Sequence, residues 1–97
     1  MSIIRIVRLS FEPKHIKTFL NIYNDKKSTI LAFDGCRQLQ LKQDFNQSNV
    51  YYTYSHWDSN LDLENYKASN FFEVTWAQTK LLFNDRPQAF TLVDTEE

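Results

Sequence analysis

The alternation of apolar and polar positions divides this chain into six elements. Ile3 to Phe11 is an apolar, β-branched run broken by Arg5, Arg8 and Ser10, the pattern of a strand with at least one covered face. Glu12-Pro13 follows, and proline suits the first turn of a helix because its missing N–H has no intrahelical partner there. Ile16, Phe19, Leu20, Tyr23, Ile30 and Leu31 then recur at spacings of three and four, with Lys14, Lys17, Asn21 and Lys27 opposite them. That spacing predicts an amphipathic helix of roughly five turns. It ends at Asp34-Gly35, where glycine suits a left-handed cap.

The segment "CRQLQLKQD" alternates Leu39 and Leu41 against Gln38, Gln40 and Lys42, which predicts a second strand. A polar turn over Phe45 to Asn49 leads into "VYYTYSHW", so strands two and three form an antiparallel pair. Side chains in a strand alternate between faces. Tyr52, Tyr54 and His56 therefore share one face, and Tyr51, Thr53, Ser55 and Trp57 share the other. Ser59 with Asp62 resembles a capping box opening a short helix with Leu61 and Tyr66. Ser69-Asn70 with Glu73 restarts it, carrying Phe72, Trp76, Thr79, Leu82 and Phe83 at helical spacing. "PQAFTLV" reads as a last strand with Phe90 and Leu92 on one face, and the tail "DTEE" is expected to fray.

The resulting order, β-α-β-β-α-β, is that of a ferredoxin-like α+β fold: a four-stranded antiparallel sheet with the helices on one face. The other face is left open, yet it carries more aromatic and aliphatic residues than a solvated face tolerates. A second copy would cover it, so a symmetric homodimer with sheets face to face is expected.

Composition narrows the options. At 97 residues without an internal repeat or linker, residues 1–97 are expected to form one domain. A 42% hydrophobic content can fill a core, and one glycine and two prolines argue against disorder. Eleven basic residues against twelve acidic ones leave a formal charge of -1, without the basic footprint of a nucleic-acid binder. The start "MSIIRIVRLSF" has arginines within its apolar run, and no stretch reaches the ~20 apolar residues of a membrane span. A soluble, cytoplasmic protein is expected, in keeping with the lone Cys36.

The segments "IIRIVRLSFEPKHIKTFL", "FDGCRQLQLKQD", "YYTYSHWDSNLDLENYKAS" and "FFEVTWAQTKLLF" together resemble the antibiotic biosynthesis monooxygenase superfamily of dimeric α+β barrels. The strand-ending Trp57, the helix start at Asp58-Ser59 and the Tyr66-x-x-Ser69-x-x-Phe72 helix carry the likeness. It implies a pocket between sheet and helices in each subunit. Members often work there without metal or organic cofactor, on an electron-rich aromatic substrate that itself activates oxygen. The chain also departs from its relatives. Trp76 stands where haem-degrading members place an iron-ligating histidine, so haem is not expected. Tyr66 and Phe72 stand where isomerases of the fold carry histidines. Ser55 stands where many members carry an acid, two residues before the tryptophan.

Each candidate residue has a chemical and a structural reading. Trp57 either lines the pocket or packs helix on sheet. His56 could serve as a general base that deprotonates a phenol, or it is a surface or dimer-contact residue on the face opposite Trp57. Tyr52 and Tyr54 share its face and either hold a substrate hydroxyl or join a dimer interface. Arg5, among aliphatic neighbours, either neutralises an oxyanion or bridges to a carboxylate across a dimer. Tyr66 and Trp76 are substrate-contact candidates, with core packing as the other role for Trp76. Cys36 has no nearby histidine to activate it, and His15 is expected to be solvated.

The expected catalytic set is thus His56, Arg5 and Tyr54, with Trp57, Tyr52, Tyr66 and Trp76 contacting substrate, and no metal or cofactor. The function implied by the resemblance is a cofactor-independent monooxygenase acting on a small aromatic or quinol compound. A non-catalytic dimeric ligand-binding protein and an isomerase of the same fold are the alternatives.

Overall fold

A computed structural model describes residues 1–96; the last residue of the "DTEE" tail lies outside the described residues, and residues 93–96 form no regular element. The elements are β1 (Ile3–Ser10), α1 (Ile16–Leu31), β2 (Cys36–Gln43), β3 (Val50–Trp57), α2 (Asn60–Lys67), α3 (Asn70–Lys80) and β4 (Gln88–Leu92). Pro13 opens a single 3₁₀ turn over Pro13–His15 that leads into α1. The strands form one antiparallel sheet in the order β2-β3-β1-β4, the ferredoxin-like arrangement. Among the described residues no helix is long and apolar enough to cross a membrane.

The β1/β3 register pairs Ile3 with Trp57, Arg5 with Ser55, Val7 with Thr53 and Leu9 with Tyr51. These rows face the helices, and most of their members are buried. The core forms in two parts. Val7, Leu9, Phe11, Phe19, Tyr51 and Leu82 fill one, with Phe11 stacked on Phe19 at 4.2 Å between ring centroids. Ile3, Trp57, Leu63 and Tyr66 fill the other, against Ile30, Phe33, Phe71 and Phe72. Arg5 lies on β1 between Ile3 of one part and Val7 of the other, so the inward row carries a guanidinium between the two.

Local details differ from the simple patterns. Arg37 is the extra residue of a bulge between Cys36 and Gln38, so Cys36 and Leu39 both pack toward the helices, which strict alternation forbids. The predicted second helix is two helices, each begun by its own serine cap. Ser59 Oγ accepts the Asp62 N–H at 3.1 Å and Ser69 Oγ accepts the Phe72 N–H at 3.1 Å. Asp62 answers the Ser59 hydroxyl, at 3.0 Å, rather than its backbone N–H. His15 corrects the expectation of a solvated side chain, because its Nδ1 is buried and without a partner.

Helix α1 ends at Leu31 with Ala32 as a right-handed cap, earlier than the expected stop at Asp34-Gly35; Gly35 instead turns the chain into β2 with a φ of 81°, and a Cβ added there would overlap the Asp62 side chain. Two costs therefore coincide at this position. Gly35→Ala is expected to lower the unfolding free energy by at least the ~1–2 kcal/mol of a left-handed backbone, measured by urea denaturation. In an Asp62→Gly background, which removes the overlapping side chain, the same substitution is expected to cost only the backbone part. An unchanged midpoint for Gly35→Ala would contradict this account of the turn.

Candidate active site

A cavity of about 110 Å³ lies between the sheet and the helices, bordered by both parts of the core. Its floor is the inward rows of the sheet: Arg5, Val7 and Leu9 from β1, Leu39 from β2, and Thr53, Ser55 and Trp57 from β3. Helix α1 supplies Phe19, Tyr23, Lys26 and Ile30 at spacings of four, three and four, which put all of them on one face. Tyr66 from α2 and Phe72, Thr75, Trp76 and Thr79 from α3 close the roof. A dry cavity of ~150 Å³ admits benzene, so this space is of single-ring scale.

The walls are mostly aromatic. Tyr66 stacks on Trp57 at 5.1 Å and meets Phe72 edge-on at the same distance, and Phe72 stacks on Trp76 at 6.0 Å. Trp57 is 1% exposed and donates its indole N–H to Ser55 Oγ at 3.0 Å. Burial pushes the Tyr66 phenol up to about 12, with Arg5 pulling the other way, so Tyr66 is a neutral group at physiological pH.

Arg5 is the chemically distinctive group. It is half-buried and makes no hydrogen bond or ion pair with any described residue. Burial draws its guanidinium down from its ordinary value, an effect that Tyr66 and Glu64 partly offset. A guanidinium remains charged under any such shift, so a largely apolar cavity holds a positive charge that no carboxylate of the lining contacts, Glu64 acting on it only from a distance. Lys26 also reaches the cavity, but its ammonium lies 3.2 Å from Asp25 and 6.0 Å from the centre of the Phe71 ring. No histidine, cysteine or carboxylate lines the space. Among the described residues no three His, Cys, Asp or Glu side chains are grouped as for a metal ion.

Of the seven residues expected from the sequence, the cavity gathers Arg5, Trp57, Tyr66 and Trp76. Tyr52, Tyr54 and His56 lie across the sheet, opposite Arg8, Ile6 and Ile4 of β1. Strand alternation allows no other outcome. There Tyr52 donates to Asp44 Oδ1 at 3.3 Å, and His56 Nε2 is buried without a partner. That outer face also bears Phe90 and Leu92, 48% and 46% exposed. Sequence reasoning passed over Ser55, Thr53, Lys26, Tyr23, Thr75 and Thr79 as pocket residues. The signal was present for Ser55 and Thr53 in their parity with Trp57, and for Lys26 and Tyr23 in their spacing from Phe19.

The family model described as antibiotic biosynthesis monooxygenase matches residues 2–77. A search of curated proteins finds no significant match. Among solved structures, Rv0793 of Mycobacterium tuberculosis superposes with a TM-score of 0.90 at 18% identity, covering 100% of this chain and 98% of its own. A Caulobacter crescentus protein, described as a candidate antibiotic biosynthesis monooxygenase, gives 0.90 at 19%, covering 98% and 91%. PA3566 of Pseudomonas aeruginosa gives 0.85 at 19%, covering 98% and 95%. At such identities these structures speak for the fold, while the family model spans most of the sequence, and the chain belongs to the antibiotic biosynthesis monooxygenase family.

Proposed function

We propose that the protein is a cofactor-independent monooxygenase that oxidises a small, single-ring phenol or quinol in the cavity under α1 and α3. The observation that carries this reading is Arg5, an unpaired cation inside a small aromatic-walled space. Such a site favours a ligand that is apolar over its ring and anionic at one oxygen. The guanidinium lowers the pKa of a bound phenol, whose proton passes to solvent. The electron-rich phenolate then gives an electron to oxygen in a water-poor site. In overall balance, a phenol and O₂ become a quinone and water. One oxygen atom enters the ring, the other leaves as water with the phenolic and one ring hydrogen, and the substrate supplies all the electrons.

Arg5 would hold the oxyanion, Trp57, Tyr66 and Trp76 would sandwich and bound the ring, and Tyr66 would stay a neutral donor. His56, Tyr52 and Tyr54 fall outside this constellation. We assign them to a homodimer interface on the outer sheet face, where a second copy would cover Phe90 and Leu92. Family membership supports that arrangement, and a lone thiol at Cys36 suits the cytoplasm. A second reading, ligand binding without turnover, is favoured by one feature: the lining holds no group that exchanges protons near neutral pH.

Oxygen-electrode assays on a panel of single-ring phenols and quinols separate these readings. The oxygenase consumes O₂ in step with quinone formation, and Arg5→Met lowers kcat/KM about 100-fold, as for loss of an oxyanion donor. Binding without oxygen uptake leaves the protein a carrier, and conversion without oxygen uptake makes it an isomerase.

Two further outcomes follow from the same geometry. Because burial raises Tyr66 from 10.0 to about 12, its contribution to stability is intact below pH 10 and lost as pH rises toward 12. In an ultraviolet titration of the five tyrosines, Tyr66→Phe removes a component that ionises near 12. A Tyr66 that ionises near 10 would contradict its burial. In sedimentation velocity the wild type runs as a dimer and Phe90→Asp shifts it toward monomer; a monomeric wild type would end the interface reading.

A further inference from the structure

We infer that Arg5 and the Ser55 hydroxyl form a two-donor hole for one anionic oxygen of the ligand, with Trp57 as the positioning residue that aims the Ser55 proton. The ligand class is then a phenolate or enolate, an aromatic or conjugated ring bearing one charged oxygen. This rests on reading the cavity as the ligand site, and it adds Ser55 and a role for the Trp57 indole N–H.

Arg5 and Ser55 are direct partners across the β1/β3 pair, and both line the cavity. Residues so paired have Cβ atoms ~4.5–5.5 Å apart, close enough for both to address one small atom. A hydroxyl offers one donor and two acceptor positions, whereas an indole N–H only donates. Trp57 donates to Ser55 Oγ at 3.0 Å, and its ring is fixed by burial and by stacking on Tyr66. The hydroxyl proton must therefore point elsewhere, and no described residue accepts it. Ser55 is itself 7% exposed, so bulk water is not beside it. Its cross-strand neighbours are Arg5, which can only donate, and Leu39 of β2, which is apolar. Two donors thus face one small space that holds no carboxylate and whose side-chain acceptors are neutral hydroxyls, on Thr53, Thr75, Thr79, Tyr23 and Tyr66, so an anionic ligand oxygen is the stronger partner for both. An anionic oxygen satisfies both at once. Lys26, Tyr23 and Tyr66 are the other titratable groups on the cavity wall, and none is a carboxylate that would compete for the site.

The probes are 4-nitrophenol, whose phenolate is coloured, and 4-nitroanisole, which has the same ring and cannot ionise. Wild type is expected to bind the phenolate at least tenfold more tightly than the anisole and to lower the pKa of the bound phenol by about one unit, the equivalent of tenfold. Ser55→Ala and Trp57→Phe each lower the preference for phenolate over anisole about fivefold, and that preference falls no further when the two are combined, as expected for members of one unit. In wild type the Trp57 indole N–H resonance shifts further on binding the phenolate than on binding the anisole, which packs the same ring against it without the charge. If Trp57→Phe fails to fold, Ser55→Thr against Ser55→Ala decides, the variant that keeps a hydroxyl keeping the phenolate preference. Equal affinity for both probes, or additive losses, overturns the two-donor hole and leaves the cavity a ligand site. Binding of neither probe overturns both.

Discussion

The structure turns on a charged residue placed in a row that otherwise builds the core. Ile3, Val7 and Leu9 point from β1 into the helices and bury, and Arg5 lies among them with the same direction. It lies between the cluster around Phe11 and the cluster around Trp57, which meet on the helix side through the Phe72–Trp76 stack. A guanidinium cannot be packed dry without a partner, and none of the described residues supplies one. The fold answers by leaving space around it, so the cavity and its charge have one cause.

The surroundings then determine what that charge can do. In water a lone cation does little to a phenol, but the same cation among Trp57, Tyr66, Phe72 and Trp76 acts through a medium of low polarity. Tyr66, held neutral by its own burial, adds a polar atom without adding charge. The strand geometry provides the orientation, because β1 and β3 fix Arg5 and Ser55 on facing backbone positions rather than on loops. Family membership makes oxygen chemistry the natural use of such a pocket, and the residues in it are suited to holding an ionised ring rather than to moving protons.

Much of the fold was legible in the sequence because its elements are long and strongly periodic. The alternation of "VYYTYSHW" separated Trp57 and Ser55 from His56 and Tyr54 correctly, and Gly35 marked a left-handed residue, although α1 ends earlier, at Leu31, with Ala32 as its right-handed cap. The site was less legible. Aromatic density in β3 does not say which face of the strand borders the pocket, so His56 and Tyr54 drew attention that belonged to the cavity side. Lys26 reads as part of a polar helix face, yet its aliphatic stem reaches the cavity between Tyr23 and Ile30. The bulge at Arg37 has no signature in the residues themselves, because it arises from pairing with β3. Ser55 was noted only as a missing acid, and its use as a hydroxyl depends on the indole bond that only coordinates reveal.

The most direct test of the account is a crystal structure with a single-ring phenol soaked in at neutral pH. The account predicts the ring against Trp57 and Tyr66, with its oxygen within hydrogen-bonding distance of both Arg5 and Ser55. A ligand seated on the outer sheet face beside His56, or an Arg5 that remains turned away from a ligand in the cavity, would contradict it.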